Sequence, residues 1–178
     1  MLGDLMPFVV AGIVSGSLYG LAGLGLVLTY RTSGVFNFGY GAIAAAAAFA
    51  FYTLHDNHGL PWPIAALVVV VGFAAVIGPA LELVTRWLVG AADALVIVAT
   101  VGILLGLEGY LYTQYGDSTI GFPQFLPTSG FGVSGVQITW AQVISTGVAV
   151  IGAVGISVFL RTTRSGVSMR AVVDNPRL

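Results

Sequence analysis

Five stretches of this chain are apolar for long enough, or nearly so, to cross a bilayer. They run over residues 5–30, 36–54, 64–85, 94–115 and 138–160. About 20 residues at about 1.5 Å rise each span roughly 30 Å of hydrocarbon. The expectation is therefore an all-α, polytopic transmembrane helical bundle of about five spans. Of the 178 residues, 57% are hydrophobic and 7% charged, which is more apolar surface than a soluble domain of this size could bury. The second stretch is the shortest. It opens on Phe36-Asn37-Phe38-Gly39-Tyr40-Gly41, so it is expected to enter the membrane as a broken or half helix. No basic residue occurs in Met1 to Pro7. The apolar run behind it is about twice a signal peptide's hydrophobic region and reads as a retained span.

The same composition excludes several chemistries. There is no cysteine, so disulfides, thiolate catalysis and cysteine-based metal centres have no ligands. All six basic residues are Arg, and without Lys a phosphate-binding loop of the Walker type cannot form. The chain is therefore not expected to be its own ATPase. A net charge of −1 offers no field for nucleic acid. His55, Asp56 and His58 have a spacing that suits a metal, but they fall in a short polar break before Pro61 and Pro63 and read as a solvated turn. No nucleophile, base and orienting group assemble, and no G-x-S-x-G elbow occurs. An enzyme reading therefore has no chemistry to stand on, and no catalytic residue, cofactor or metal is expected.

Turn chemistry separates the spans at Thr32-Ser33-Gly34, at His55 to Gly59 and at Gly90 to Asp93. The stretch from Gly116 to Gln137 contains Pro123, Pro127 and repeated glycines, which suits a long surface loop with room for a short hairpin. Arg31 ends the first span, Arg86 the third, and Arg161, Arg164, Arg170 and Arg177 follow the fifth. With five crossings all six fall on one side. By the positive-inside rule that side is cytoplasmic, and the N-terminus and the 116–137 loop lie outside. Trp62 and Trp140 begin spans, while Tyr30 and Trp87 end them, as interfacial anchors do.

Within the spans, Gly12, Gly16 and Gly20 repeat at four-residue spacing, and Gly102 and Gly106 do the same in the fourth stretch. Such bare stripes suit close helix packing. Glu108 is the one carboxylate well inside a span, which makes it a candidate for the solute path. Glu82 lies nearer an interface and reads as snorkelling. Asn37, between two phenylalanines and followed by Gly39 and Gly41, admits two readings: a break that lines a solute path, or a residue that caps the helix it precedes. At the C-terminal end, residues 168–173 suit a helix, and Asp174-Asn175-Pro176 suits the start of another.

Several of these runs are familiar together. Gly16-Ser-Leu-Tyr-Gly-Leu-Ala-Gly23, Gly34-Val-Phe-Asn-Phe-Gly-Tyr-Gly41, Ala99-Thr-Val-Gly102 and Arg161-Thr-Thr-Arg-Ser-Gly-Val-Ser-Met-Arg-Ala-Val-Val-Asp-Asn-Pro176 resemble, in order, the permeases of branched-chain amino acid ABC importers of the LivH/LivM type. The resemblance is collinear over nearly the whole chain. It implies a single permease domain that stops at the approach to the cytoplasmic coupling helix, in a bacterial inner membrane. It also implies ABC ATPase subunits, a second permease subunit and an extracytoplasmic solute-binding protein as partners. Arg170, Asp174 and Asn175 would approach the ATPase, and Asn37, Phe38, Gly39, Gly41 and Glu108 would lie along the solute path. Where this chain has Phe38-Gly-Tyr-Gly41, many relatives carry Phe-Ala-His-Gly, and urea and short amides are carried by similar permeases, so the solute stays open. A channel or secondary carrier that needs no ATPase, with Glu108 as its proton site, is the rival reading; a non-transporting assembly partner is the third.

Overall fold

The computed structural model describes the chain except residues 1, 34–35, 89, 118–119, 123, 134–135, 165 and 167–178. Its elements are helix α1 (Leu2–Ser33), helix α2 (Tyr40–Tyr52) running into a π-helical turn (Thr53–Asn57), helices α3 (Trp62–Leu88) and α4 (Asp93–Tyr115), strands β1 (Gly130–Val133) and β2 (Val136–Thr139), and helix α5 (Trp140–Thr162). Among the described residues, four helices are long and apolar enough to cross a membrane, over Leu5–Arg31, Trp62–Leu88, Ala94–Tyr115 and Trp140–Thr162. The fold is all-helical and multi-pass apart from the one hairpin. Apolar side chains point outward: Phe8 is 75% exposed and Trp87 83%, the reverse of a soluble protein and the arrangement that lipid favours.

Polar atoms within these helices are satisfied close to home. Ser17, Thr29, Thr85 and Thr162 each donate a hydroxyl hydrogen bond to a carbonyl three or four residues back, at 2.7–2.9 Å. A hydroxyl paired with its own helix can face lipid without a stranded donor.

The second apolar stretch is where helix length falls short. α2 has 13 residues, about 20 Å at helical rise, and the helix begins at Tyr40 rather than at Phe36. Asn37 is the reason: its Oδ1 accepts from Gly39 N at 2.9 Å, and this local turn holds the backbone out of the helix until Tyr40. At the other end the helix widens into the π turn, and His58 N then bonds to Thr53 O. Gly59, in the left-handed region at φ 69°, lets the chain turn toward α3. Gly116 (φ 77°) ends α4, with its N–H on Tyr112 O.

Two compact units are present. One takes in residues 33–123 and holds α2, α3 and α4. There α2 packs chiefly on α4, and Ala42, Phe51, Ala65, Val69 and Leu111 are buried. The other takes in residues 1–32 and 124–178, with α1, the hairpin and α5. In it Leu21 of α1 approaches Gly152 of α5, where an added Cβ would lie 3.2 Å from Leu21 Cδ1. Val136 and Ala149 are buried.

The 116–137 stretch contains the antiparallel hairpin, with Phe131 opposite Ile138 and Gly130 opposite Thr139. α5 starts at Trp140, two residues inside the apolar stretch, because Thr139 ends β2 and caps the helix. Thr139 Oγ1 accepts from Gln142 N, and Gln142 Oε1 accepts from Thr139 N, a reciprocal capping box. Thr139→Ala should destabilise the protein by about 1 kcal/mol, read as a lower thermal midpoint in detergent, whereas Thr139→Ser should stay near wild type.

Candidate functional site

The segment leading into α2 is built against α4. Asn37 is 7% exposed and Gly39 is buried. Tyr40 N bonds to Asn37 O at 3.2 Å and Ile43 N to Gly39 O at 2.9 Å, closing the first turn. Thr100, 3% exposed, donates to Ile97 O at 3.1 Å and reaches Phe36 O at 3.5 Å. One turn along α4, Ile103 closes on the glycine: a Cβ added at Gly39 would stand 2.8 Å from Ile103 Cγ2 and 3.1 Å from Asn37 Oδ1. No side chain fits there without a shift, so glycine at 39 lets the two backbones approach. Phe36 and Phe38 stack edge to face, centroids 4.8 Å apart, and both remain exposed, as does Gly41.

Of the five residues expected along a solute path, Asn37 and Gly39 turn inward to α4, while Phe38 and Gly41 face outward. Glu108 is not brought to them. It is exposed on α4, two turns beyond Thr100, and no hydrogen bond or ion pair reaches it among the described residues. Its carboxyl is open to whatever lies beside that face.

A second attachment holds the far end of α2, and sequence reasoning missed it. Tyr115 OH lies 2.6 Å from Thr53 Oγ1 and donates to Phe49 O at 3.2 Å, with its ring 4.4 Å from that of Phe49. Thr53 Oγ1 is also 3.0 Å from Phe49 O and has a single hydrogen to share between that carbonyl and the Tyr115 oxygen. Both side chains lie near span ends, and no local motif announces that they meet. The short helix is thereby fixed to α4 near both ends.

The remaining expected residues fall elsewhere. Gly12, Gly16, Gly20, Gly102 and Gly106 have nothing within 4 Å of an added Cβ, so their stripes are open among the described residues. Glu82 pairs with Arg86, Nη2 to Oε1 2.6 Å, one helical turn apart on an exposed face, a contact of about 0.3–0.5 kcal/mol. Arg170, Asp174 and Asn175 lie outside the described residues.

The two readings of Asn37 make different predictions. Asn37→Ala should cost about 1 kcal/mol of stability by removing the hydrogen bond from Gly39 N, the residue at the N-cap of α2. Asn37→Asp, which keeps the acceptor oxygen, should retain stability and the transport rate if the residue caps, and should lose transport at wild-type stability if its amide touches solute. Gly39→Ala should destabilise the protein by about 1–3 kcal/mol through overpacking. Adding Ile103→Ala should return part of that loss, measured as thermal midpoints of the two single variants and the double.

Comparison with known proteins agrees with this architecture. A family model described as the branched-chain amino acid transport system, permease component, matches residues 8–178. The chain is 30% identical over 176 residues to a protein of Methanocaldococcus jannaschii named as a probable branched-chain amino acid transport permease protein LivH. That match covers 93% of this chain and 54% of the relative, so the chain spans about half the length of the curated relative it matches. No solved structure matches it. On the extent of the family match, this multi-pass membrane chain belongs to the permease-component family of branched-chain amino acid transport systems.

Proposed function

We propose that this chain serves as a membrane-spanning permease subunit of an ABC importer for branched-chain or related small amino acids, moving solute by ATP-driven alternating access. Family membership is the observation that carries the reading. The absence of Lys, hence of a phosphate-binding loop, fits ATP hydrolysis in partner ATPase subunits. A second permease subunit completes the solute cavity, and an extracytoplasmic solute-binding protein delivers the ligand. In the bacterial inner membrane the six Arg face the cytoplasm and the N-terminus faces outward. Gly12, Gly16 and Gly20 on α1, and Gly102 and Gly106 on α4, offer bare backbone along which a neighbouring helix can slide. Arg170, Asp174 and Asn175 lie at the approach to the ATPase.

Alternating access needs two packings of similar energy, biased by partners whose binding differs between them by a few kcal/mol. The α2–α4 pair, joined near both ends, suits movement as one piece. Glu108 favours a second reading: an unpaired carboxylate inside an apolar helix is what an ATPase-independent carrier would use as a proton site.

The test is co-purification in mild detergent of the intact permease with the products of neighbouring genes, followed by uptake in proteoliposomes. Stoichiometric recovery of an ATPase, ATP-dependent leucine uptake, and loss of ATPase recovery in Arg170→Glu are the expected results. Uptake that needs no ATP, follows a proton gradient and disappears in Glu108→Gln would establish the carrier instead.

A further inference from the structure

Residues 124–160 contain no Asp, Glu, Lys, Arg or His. α5 accounts for most of that run, but the 16 residues before it are equally uncharged although they form no helix. A loop bathed in water has no reason to avoid charge over such a length. Three structural observations say where this one sits.

The first is depth. From Trp140 to Arg161, α5 covers about 32 Å at helical rise, close to the roughly 30 Å of hydrocarbon it must cross. With Arg161 at one interface, Trp140 stands at the other, the depth that indole rings prefer. The hairpin has no slack with which to leave that depth, since β2 ends at Thr139 and α5 begins at the next residue.

The second is the helix start. The first turn of an α-helix leaves four N–H groups without intrahelical partners, and water usually takes them. In α5 the loop takes three: Trp140 N bonds to Ser129 O at 3.0 Å, Ala141 N to Pro127 O at 3.1 Å and Gln142 N to Thr139 Oγ1 at 3.3 Å. A helix whose first donors are met by protein can begin where water is scarce.

The third is sidedness. Residues paired across an antiparallel ladder share a face. The Phe131–Ile138 pair thus lies on one face, with Val136 of β2 on the same side, and Gly130–Thr139 with Gly132–Gln137 on the other. Phe131 lies edge to face on Trp140, centroids 5.5 Å apart, and the two remain 42% and 47% exposed. Ile138, on the same face, leads into an open apolar groove of about 480 Å³ between α1 and α5, lined by Val10, Ile13 and Val143 among others. The opposite limit comes from the ladder itself. A two-stranded sheet leaves backbone groups unpaired along its outer edges, which hydrocarbon would not tolerate. The element is too apolar and uncharged for bulk water and too open-edged for the membrane core.

We infer that residues 124–139 form an interfacial element whose Phe131 face rests among lipids at the headgroup–acyl boundary of the leaflet where α5 begins, with the Gln137 face toward water. Its partner is the lipid surface itself. The seat fixes the depth of α5 and closes its first turn against water.

The native chain has no cysteine, so single-cysteine variants of the intact permease report on one site each. Phe131→Cys, Gln137→Cys, Val148→Cys on the lipid-facing middle of α5 and Asp117→Cys on the exposed loop would carry a nitroxide label in phosphatidylethanolamine–phosphatidylglycerol vesicles. Collision with oxygen and with a water-soluble nickel chelate would then be measured. Position 131 should fall between 148 and 117, with more oxygen and clearly less nickel access than 117, while 137 should resemble 117. Nickel access at 131 equal to that at 117 would overturn the inference in favour of a solvated loop. Shielding of 131 from both reagents would overturn it in favour of a protein partner. Phe131→Trp, in a chain whose native tryptophans are Phe, keeps an aromatic ring at the site and gives an independent reading. Quenching by brominated acyl chains should exceed quenching by iodide, and the reverse order would refute the lipid seat.

Discussion

Water is missing from the solvent in which most of this chain works, and the fold follows from what that absence demands of the backbone. Every N–H and C=O at membrane depth needs a partner within the protein, which selects helices over the apolar stretches and removes burial of large side chains as the organising force. Phe8, Tyr19, Trp87 and Ile151 are all largely exposed, because lipid is as good an environment for them as a core. What remains to shape the molecule is the placement of its few polar groups. The threonine and serine hydroxyls folded back onto their own helices are the repeated small-scale answer.

The short second helix shows the same rule applied at its ends. A helix of 13 residues has terminal groups to satisfy at a depth where longer helices have none. At its start the Asn37 side chain takes Gly39 N, and Thr100 approaches the Phe36 carbonyl. At its finish the hydroxyls of Thr53 and Tyr115 meet each other and the Phe49 carbonyl. The Thr100 and Tyr115 contacts tie the α2 segment to α4. In bilayers such interhelical hydrogen bonds are worth only about 0.6 kcal/mol on average, so they guide geometry without locking it.

Asn37 also illustrates how a residue that looks suited to binding solute can serve architecture first. Its amide oxygen is engaged by backbone and its side chain is buried against α4. Glu108 is the converse case: it sits in the open on an apolar helix with no partner within the described chain. A carboxyl left unpaired on such a surface takes its meaning from whatever neighbour or water-filled space lies beside it.

The transmembrane character, the long helices α1, α3, α4 and α5 and the weakness of the second span were legible from residue type alone, since hydropathy over about 20 residues reports directly on transfer into lipid. The capping box Thr139-Trp-Ala-Gln142 has a fixed spacing, yet the expected span began at residue 138 and passed over it, because the apolar run around it hid the signal. The pairing of Tyr115 with Thr53, the 2.8 Å approach of Ile103 to the Cβ position of Gly39 and the inward turn of Asn37 were decided only by the tertiary structure. Each joins residues about 60 apart or depends on which side of a short helix meets a neighbour. A uniformly apolar helix carries no polar face to announce that choice, so helix rotation and pairing are set by packing, where periodicity in the sequence has nothing to say.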